Sequence, residues 1–293
     1  MNALPVFYHP AMIGPADTSS PSAAKPAAVI EFWRRLGIPL EILPPVPVTP
    51  EQFEMAHEAR FVREVLACER DNGFGNRLPA VALSLPWTTG AMLSAARRAR
   101  ERGGVAVAPC SGFHHAGWAD CSGFCTFNGL MVTSAVLRAE GARRIGILDL
   151  DHHYGDGTED ILNRLNARSW VRHFTAGADY RRPPQASEFL TRLPAELARF
   201  ADCDVVLYQA GADPHVNDPL GGWLTTEQLR ERDGLVFSGL KSLGIPVAWN
   251  LAGGYQRDTT GSITPVLEIH DNTLRECARV YLSPERSESN SSR

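Results

Sequence analysis

The stretch Ile145-Gly146-Ile147-Leu148-Asp149-Leu150-Asp151-His152-His153-Tyr154-Gly155-Asp156-Gly157 begins as an apolar run and turns abruptly acidic and histidine-rich. In an extended chain alternate side chains share a face, so Asp149, Asp151 and His153 project to one side. A continuously apolar strand is one buried on both faces, as in a parallel sheet covered by helices. Open sheets of that kind bind their ligands at the carboxyl ends of the strands. Two carboxylates and an imidazole at such an end form a donor set for a divalent metal, with zinc the first choice for a mixed His/Asp set. Asp and Gly are also ordinary turn formers, so the rest of the chain must decide the weight of this reading.

Outward from this stretch the chain alternates strand and helix signals. Apolar runs at residues 5–8, 105–108, 145–150, 205–209 and 246–251 read as strands. Helical periodicity is expected over residues 89–102, 128–140, 157–167, 188–200, 225–243 and 262–281. Short parallel strands need crossover helices of this length, which predicts one doubly wound α/β domain. Residues 10–26, rich in Pro, Ser and Ala, read as a surface loop, and residues 283–293 as a frayed polar tail. Gly73-Phe74-Gly75-Asn76 is a turn signal; with no strand before it and no third glycine after it, it makes no dinucleotide site.

Three further strands end in candidate chemistry. The run at 205–209 leads into Gly211-Ala212-Asp213-Pro214-His215-Val216-Asn217-Asp218-Pro219, where Asp213 or Asp218 could supply a third metal ligand and His215 competes with them. Pro219 fixes the backbone just after Asp218. The run at 105–108 leads into Gly112-Phe113-His114-His115-Ala116-Gly117, whose tandem histidines fit either ligands or an acid/base pair. The run at 246–251 leads into Leu251-Ala252-Gly253-Gly254-Tyr255. There the glycines allow close backbone approach, and the phenol could donate to an oxyanion.

Composition narrows the class. The chain has 293 residues, 44% apolar and 21% charged, which supports a sizeable core. A net charge of −4 offers no phosphate-binding footprint, so no nucleic-acid partner is expected. No apolar run approaches the roughly 20 residues that span a bilayer, and MNALPVFYHP lacks the basic and apolar regions of a signal peptide. Six cysteines scattered through a chain of this size read as reduced thiols in a cytoplasmic enzyme.

The set GFHH, SGFCTFN (residues 122–128), DLDHHYGDG, GADPHVNDP and LAGGY, in that order, resembles the zinc-dependent histone deacetylase and acetylpolyamine amidohydrolase family over about residues 74–255. The resemblance implies an arginase/deacetylase-like fold. That is a single α/β domain, here residues 1–282, on an eight-stranded parallel sheet with helices on both faces. It puts the metal ligands on Asp151, His153 and Asp218, and so prefers Asp218 over Asp213 and His215. His114 and His115 match the paired catalytic histidines, Asp149 and Asp156 the carboxylates that orient them, and Tyr255 the tyrosine that stabilises the transition state. Gly123 and Phe124 match the lining of the acyl channel and Gly253 the turn beside it. His152 falls on a variable position and reads as structural.

The implied cofactor is Zn2+, with Fe2+ as its substitute, and a structural K+ beside Asp149 and Thr175. The implied substrate is an acylated lysine or related acylated amine, hydrolysed by metal-activated water. A small-molecule acylamine or acetylpolyamine deacetylase, a silent acyl-lysine binder and a dinuclear manganese ureohydrolase are the rivals. A homo-oligomer is compatible with all of them. One departure stands out: the segment between Thr175 and Asp202 lacks the family's longer glycine-rich loop, leaving Tyr180 as the candidate to replace its aromatic opposite Phe124. The chain is also short for the insertion that narrows polyamine-specific entrances. Both departures favour a more open mouth and an acyl-lysine or similar substrate.

Overall fold

The apolar runs of the sequence become the centre of one parallel sheet. In the computed structural model, which describes residues 2–15 and 18–282, the strands are β1 (Leu4–Phe7), β2 (Leu40–Leu43), β3 (Val105–Ala108), β4 (Ile145–Asp149), β5 (Val171–Thr175), β6 (Val205–Gly211) and β7 (Val247–Ala252). The tail expected over residues 283–293 lies outside the described residues. The strand order is β2-β1-β3-β7-β6-β4-β5, and every pairing is parallel. Among the described residues the sheet has seven strands where eight were expected. Two of the seven, β2 and β5, did not stand out as apolar runs. They form the two edges, and their sequences LEIL and VRHFT carry polar residues at half-buried positions.

Side-chain alternation divides each central strand between two apolar layers. Val105 and Val107 of β3, Leu148 of β4, Val206 and Tyr208 of β6, and Val247 and Trp249 of β7 face one core. Ala106 and Ala108, Ile145 and Ile147, Val205 and Leu207, and Ala248 face the other. This period of two is the geometry of the pleat. Both faces must therefore be covered. The first is roofed by α1 (Lys25–Arg34), α7 (Ala186–Ala198), α8 (Thr226–Ser242) and α9 (Thr264–Tyr281), through residues such as Trp33, Leu193, Phe237 and Leu274. The second is covered by α2 (Pro50–Glu54), α3 (Ala59–Leu66), α4 (Pro79–Arg102), α5 (Gly129–Ala139) and α6 (Asp156–Arg164), through Phe53, Phe61, Met92, Leu130 and Ile161.

Two expectations change. Helix α4 starts ten residues earlier than the periodicity predicted, at Pro79 rather than 89, and runs through Pro86. The proline contributes no N–H, but its carbonyl accepts from Val48 N, which ties the helix to the preceding segment. Residues 10–26 are more than a surface loop. Ser20, Ser22 and Lys25 are buried, and Lys25-Pro26 opens α1 with proline in the first turn.

Strands β3, β7, β6 and β4 are neighbours at the centre of the sheet, and their carboxyl ends lead into all four segments singled out in the sequence. The topology thus gathers at one rim what the chain spreads over more than a hundred positions.

Candidate active site

Beyond β4 the chain bends at residues 151–153, and Asp151 and His153 meet Asp213, which stands two residues beyond the end of β6. One ligand atom from each of the three lies within 4.8 Å of the others. His153 Nδ1 is 3.1 Å from Asp151 Oδ1 and 3.0 Å from Asp213 Oδ2. Gly253 makes room for this cluster: a Cβ there would fall 2.3 Å from the Asp213 carboxyl carbon, and its φ of +49° lies in the left-handed region.

The third member of this cluster is Asp213, and Asp218, the ligand that the resemblance implies, stands five residues further along the same loop. The Asp218 carboxylate accepts from Tyr255 N at 2.7 Å and Leu220 N at 3.0 Å, one bond on each oxygen, which orients it and leaves a lone pair on each. His215 lies outside this cluster: its Nε2 meets Thr226 Oγ1 and its Nδ1 accepts from Asn217 N. The backbone N–H of His152 donates to Asp213 Oδ1.

The tandem histidines flank the cluster, their rings 4.1 Å apart. His114 Nδ1 lies 2.7 Å from Asp149 Oδ2, and His115 Nδ1 lies 2.6 Å from Asp156 Oδ1. Each carboxylate accepts the Nδ1 proton and leaves Nε2 for chemistry. Asp149 is fully buried, and its other oxygen accepts from Gln209 Nε2 and Asp151 N. Thr175 Oγ1 accepts from Gly155 N.

The electrostatics pull the two histidines apart. Burial works against charge on His114, but the carboxylates of Asp149 and Asp151 outweigh it and lift its pKa to about 9. Burial and the neighbouring His114 push His115 downward. The two neighbouring imidazoles are thus shifted in opposite directions, a difference that can divide acid and base roles. Within the cluster, the hydrogen bonds that His153 donates to Asp151 and Asp213 raise its pKa to about 10. Burial and the Asp151 charge raise Asp213. The His153 imidazolium thus places positive charge between the two buried carboxylates, the position that a divalent cation would take on binding.

Tyr255 packs against Phe124 with ring centroids 5.6 Å apart, and Phe74 meets the other side of Phe124 at 5.9 Å. Burial, reinforced by Asp213 and Asp151, raises the phenol far above its ordinary pKa, so it stays a neutral donor. Gly123, with φ of +54°, lies against His115, where a Cβ would approach the ring to 2.4 Å. Phe113 and Phe124 hold positive φ without being glycine, at 101° and 63°, a local strain that concentrates at functional sites. Tyr180 does not fill the place opposite Phe124. It is buried between Phe189 and Trp223, at 5.1 and 6.0 Å, because the shortened segment folds straight into α7. Phe74 was read only as part of a turn; an aromatic between two glycines was the signal available.

The His114–Trp118 segment is braced from behind. His57 is buried, with Nδ1 2.8 Å from Gly117 O and Nε2 accepting from Asn128 N at 2.9 Å. Asn128 Nδ2 donates to Ala116 O and Thr158 Oγ1. This pattern requires the Nδ1–H tautomer, and burial lowers the His57 pKa to about 4. Between pH 6.5 and 4 the unfolded chain then binds the extra proton. Stability contributed by His57 is present above pH 6.5 and declines as pH falls, by about 3 kcal/mol at pH 4. Denaturant unfolding at pH 7 and pH 4.5 should give a smaller acid loss for His57→Gln than for the parent; equal losses would remove His57 as the cause.

Residues 22–174 match the histone deacetylase domain model. The chain belongs to the histone deacetylase family. Within this family it is 30% identical to histone deacetylase 2 of Arabidopsis thaliana, over 61% of this chain and 51% of that protein. It is 27% identical to acetylpolyamine amidohydrolase 1 of Pseudomonas aeruginosa, over 55% of this chain and 54% of that protein. The chain therefore matches about half the length of each of these relatives. Among solved structures, the acetylpolyamine aminohydrolase of Burkholderia pseudomallei superposes with a TM-score of 0.71 at 18% identity, over 95% of this chain and 99% of that one. That likeness extends the deacetylase fold to nearly the whole chain. No helix among the described residues of this family member is long and apolar enough to cross a membrane.

Proposed function

We propose that the chain is a metal-dependent amidohydrolase that removes an acyl group from an acyl-lysine or related acylated amine. The observation that carries this reading is the convergence of Asp151, His153 and Asp213 beside the His114–Asp149 and His115–Asp156 pairs. Two carboxylate oxygens and an imidazole nitrogen fit a divalent cation, and Gly253 leaves the Asp213 carboxylate free of steric conflict. Zn2+ is the proposed metal, with Fe2+ compatible with the same donors. A K+ beside Asp149 and Thr175 rests on family resemblance alone, and a cytoplasmic setting on the six free cysteines.

When bound, the metal supplies a Lewis acid for the substrate carbonyl and acidifies the attacking water. His115, neutral and with its Nδ1 proton held by Asp156, accepts that water's proton at Nε2. His114, its Nδ1 held against Asp149, stabilises the charge that develops on the carbonyl side, while Asp156 fixes the tautomer that leaves His115 basic at Nε2. Tyr255 donates its phenolic hydrogen to the tetrahedral oxyanion. Gly123 and Phe124 form the wall along which the acyl-bearing chain enters, with Phe74 and Tyr255 packed on Phe124. The proton taken by the histidine pair returns to the leaving amine.

Relatives named acetylpolyamine amidohydrolases favour a second reading, in which the substrate is a small acylated polyamine. The two are separated by assaying a fluorogenic acetyl-lysine peptide and an acetylpolyamine with the same protein, with chelator and after add-back of Zn2+ or Fe2+. Activity is expected to vanish with chelator and return with one metal per chain, with the peptide the better substrate. A preference for acetylpolyamine selects the second reading. No turnover of either, with one metal still bound, would overturn the enzymatic reading in favour of a silent binder.

A further inference from the structure

A buried ion pair supports the backbone that leads into the Asp151–His153–Asp213 cluster. Arg232 and Asp233 of α8 are fully buried in the layer between α8, α9 and the sheet. Arg232 Nε donates to Asp233 Oδ1 at 2.9 Å, and Asp233 is held in turn by the Tyr208 hydroxyl of β6 and by Thr273 Oγ1 of α9 at 2.6 Å. A buried ion pair of this kind is a poor device for stability, because apolar side chains of similar volume do as well or better. It does supply directional donors. Arg232 NH1 donates to Gly211 O at 2.7 Å and Leu150 O at 3.2 Å.

Those two carbonyls sit where the sheet stops holding its strands together. The β4–β6 register closes at Asp149 opposite Gln209, and its last rung is Leu150 N to Gln209 O. Leu150 immediately precedes Asp151, and Gly211 stands two residues before Asp213. The two chains run so close there that a Cβ on Gly211 would fall 2.5 Å from Asp151 Cα. The single nitrogen of Arg232 thus bridges the two backbones just before each delivers its carboxylate.

We propose that Arg232 is a positioning residue that sets the spacing of Asp151 and Asp213 and so the affinity of the metal cluster. This rests on the metal-dependent reading above. Asp233, Tyr208 and Thr273 fix the guanidinium, and the guanidinium fixes the strand ends. A lysine ammonium is a point charge without the planar fork, so it cannot reproduce Nε and NH1 acting in different directions at once.

The test measures Zn2+ affinity by chelator competition, together with the melting temperature of the metal-free protein. It is applied to the parent, Arg232→Lys and the double variant Arg232→Met/Asp233→Leu, in which the pair is replaced by apolar groups and the fold has its best chance of surviving. At least one variant is expected to melt within a few degrees of the parent while binding Zn2+ about 10- to 100-fold more weakly, the usual cost of losing support behind a metal ligand. A folded variant with parental affinity would overturn the proposal. Failure of both variants to fold would also overturn it, assigning Arg232 to the fold and not to the site. A parent that binds neither Zn2+ nor Fe2+ defeats the metal reading itself, an outcome distinct from either.

Discussion

Asp213→Asn is expected to lose the metal and, with it, about three orders of magnitude in kcat/KM, while Asp218→Asn keeps the metal. The asparagine is isosteric, so the backbone contact from His152 N to the residue's side-chain oxygen can persist, and the loss isolates the charge. One anionic ligand removed from a cluster of three leaves a cation with less neutralisation in a buried site. Several kcal/mol of Lewis-acid stabilisation are at stake, each 1.36 kcal/mol being a factor of ten in rate. Asp218 works differently: its carboxylate holds the amides of Tyr255 and Leu220, so its amide replacement should disturb the tyrosine turn by about tenfold in kcat and leave metal content alone. Elemental analysis after dialysis, beside kcat/KM for both variants, decides the matter. If Asp213→Asn retains one metal per chain and Asp218→Asn loses it, the ligand expected from family resemblance is restored and the geometric one falls.

The choice between Asp218 and Asp213 shows how far the sequence could be read. Both aspartates occupy one nine-residue loop after the same strand, and residue type alone leaves them equal. What separates them is distance from the last paired residue. Asp151 and Asp213 each follow their strand end by two residues, β4 closing at Asp149 and β6 at Gly211, so both emerge onto the same rim. That closing residue of β6 was misplaced at Gln209 in the sequence, because Ala210 and Gly211 carry no apolar signal, although they continue the ladder with Leu251 and Ala252.

The central strands were legible because they are buried on both faces and read as unbroken apolar runs. The edge strands β2 and β5 were not, since half-burial mixes their composition. The pairs His114–Asp149 and His115–Asp156 join residues 35 and 41 positions apart, and only the resemblance, not any spacing rule, anticipated them. The groups behind the site left even less trace. Lys25 lies in a Pro- and Ser-rich stretch that reads as surface loop, yet it is fully buried and donates to Gly253 O. Arg232 looks like one more charge on an amphipathic helix until the partners that bury it are in place. A buried cation has the sequence signature of an exposed one, so periodicity cannot find it.

Tyr255→Phe is the second large effect, and its geometry makes it a clean test. The turn that carries the tyrosine is held by its own backbone: Gly253 and Gly254 adopt φ of +49° and +88°, and Tyr255 N donates to Asp218 Oδ2. A Cβ on Gly254 would press to 2.6 Å from the Val266 side chain, so the turn has little freedom to drift. The phenylalanine keeps the ring packed on Phe124 and deletes only the hydroxyl. Burial and the carboxylates of Asp213 and Asp151 keep that hydroxyl protonated throughout the working range, so it can only donate. A donor that engages the oxyanion more strongly than the planar carbonyl acts on the transition state and not on ground-state binding. The expected result is kcat lowered by roughly 10²–10³ with KM and metal content close to those of the parent. Steady-state kinetics at saturating Zn2+, read beside metal analysis, check all three quantities together. An unchanged kcat would leave the oxyanion to the metal alone, and a loss confined to KM would move Tyr255 from the chemistry to the wall of the acyl channel.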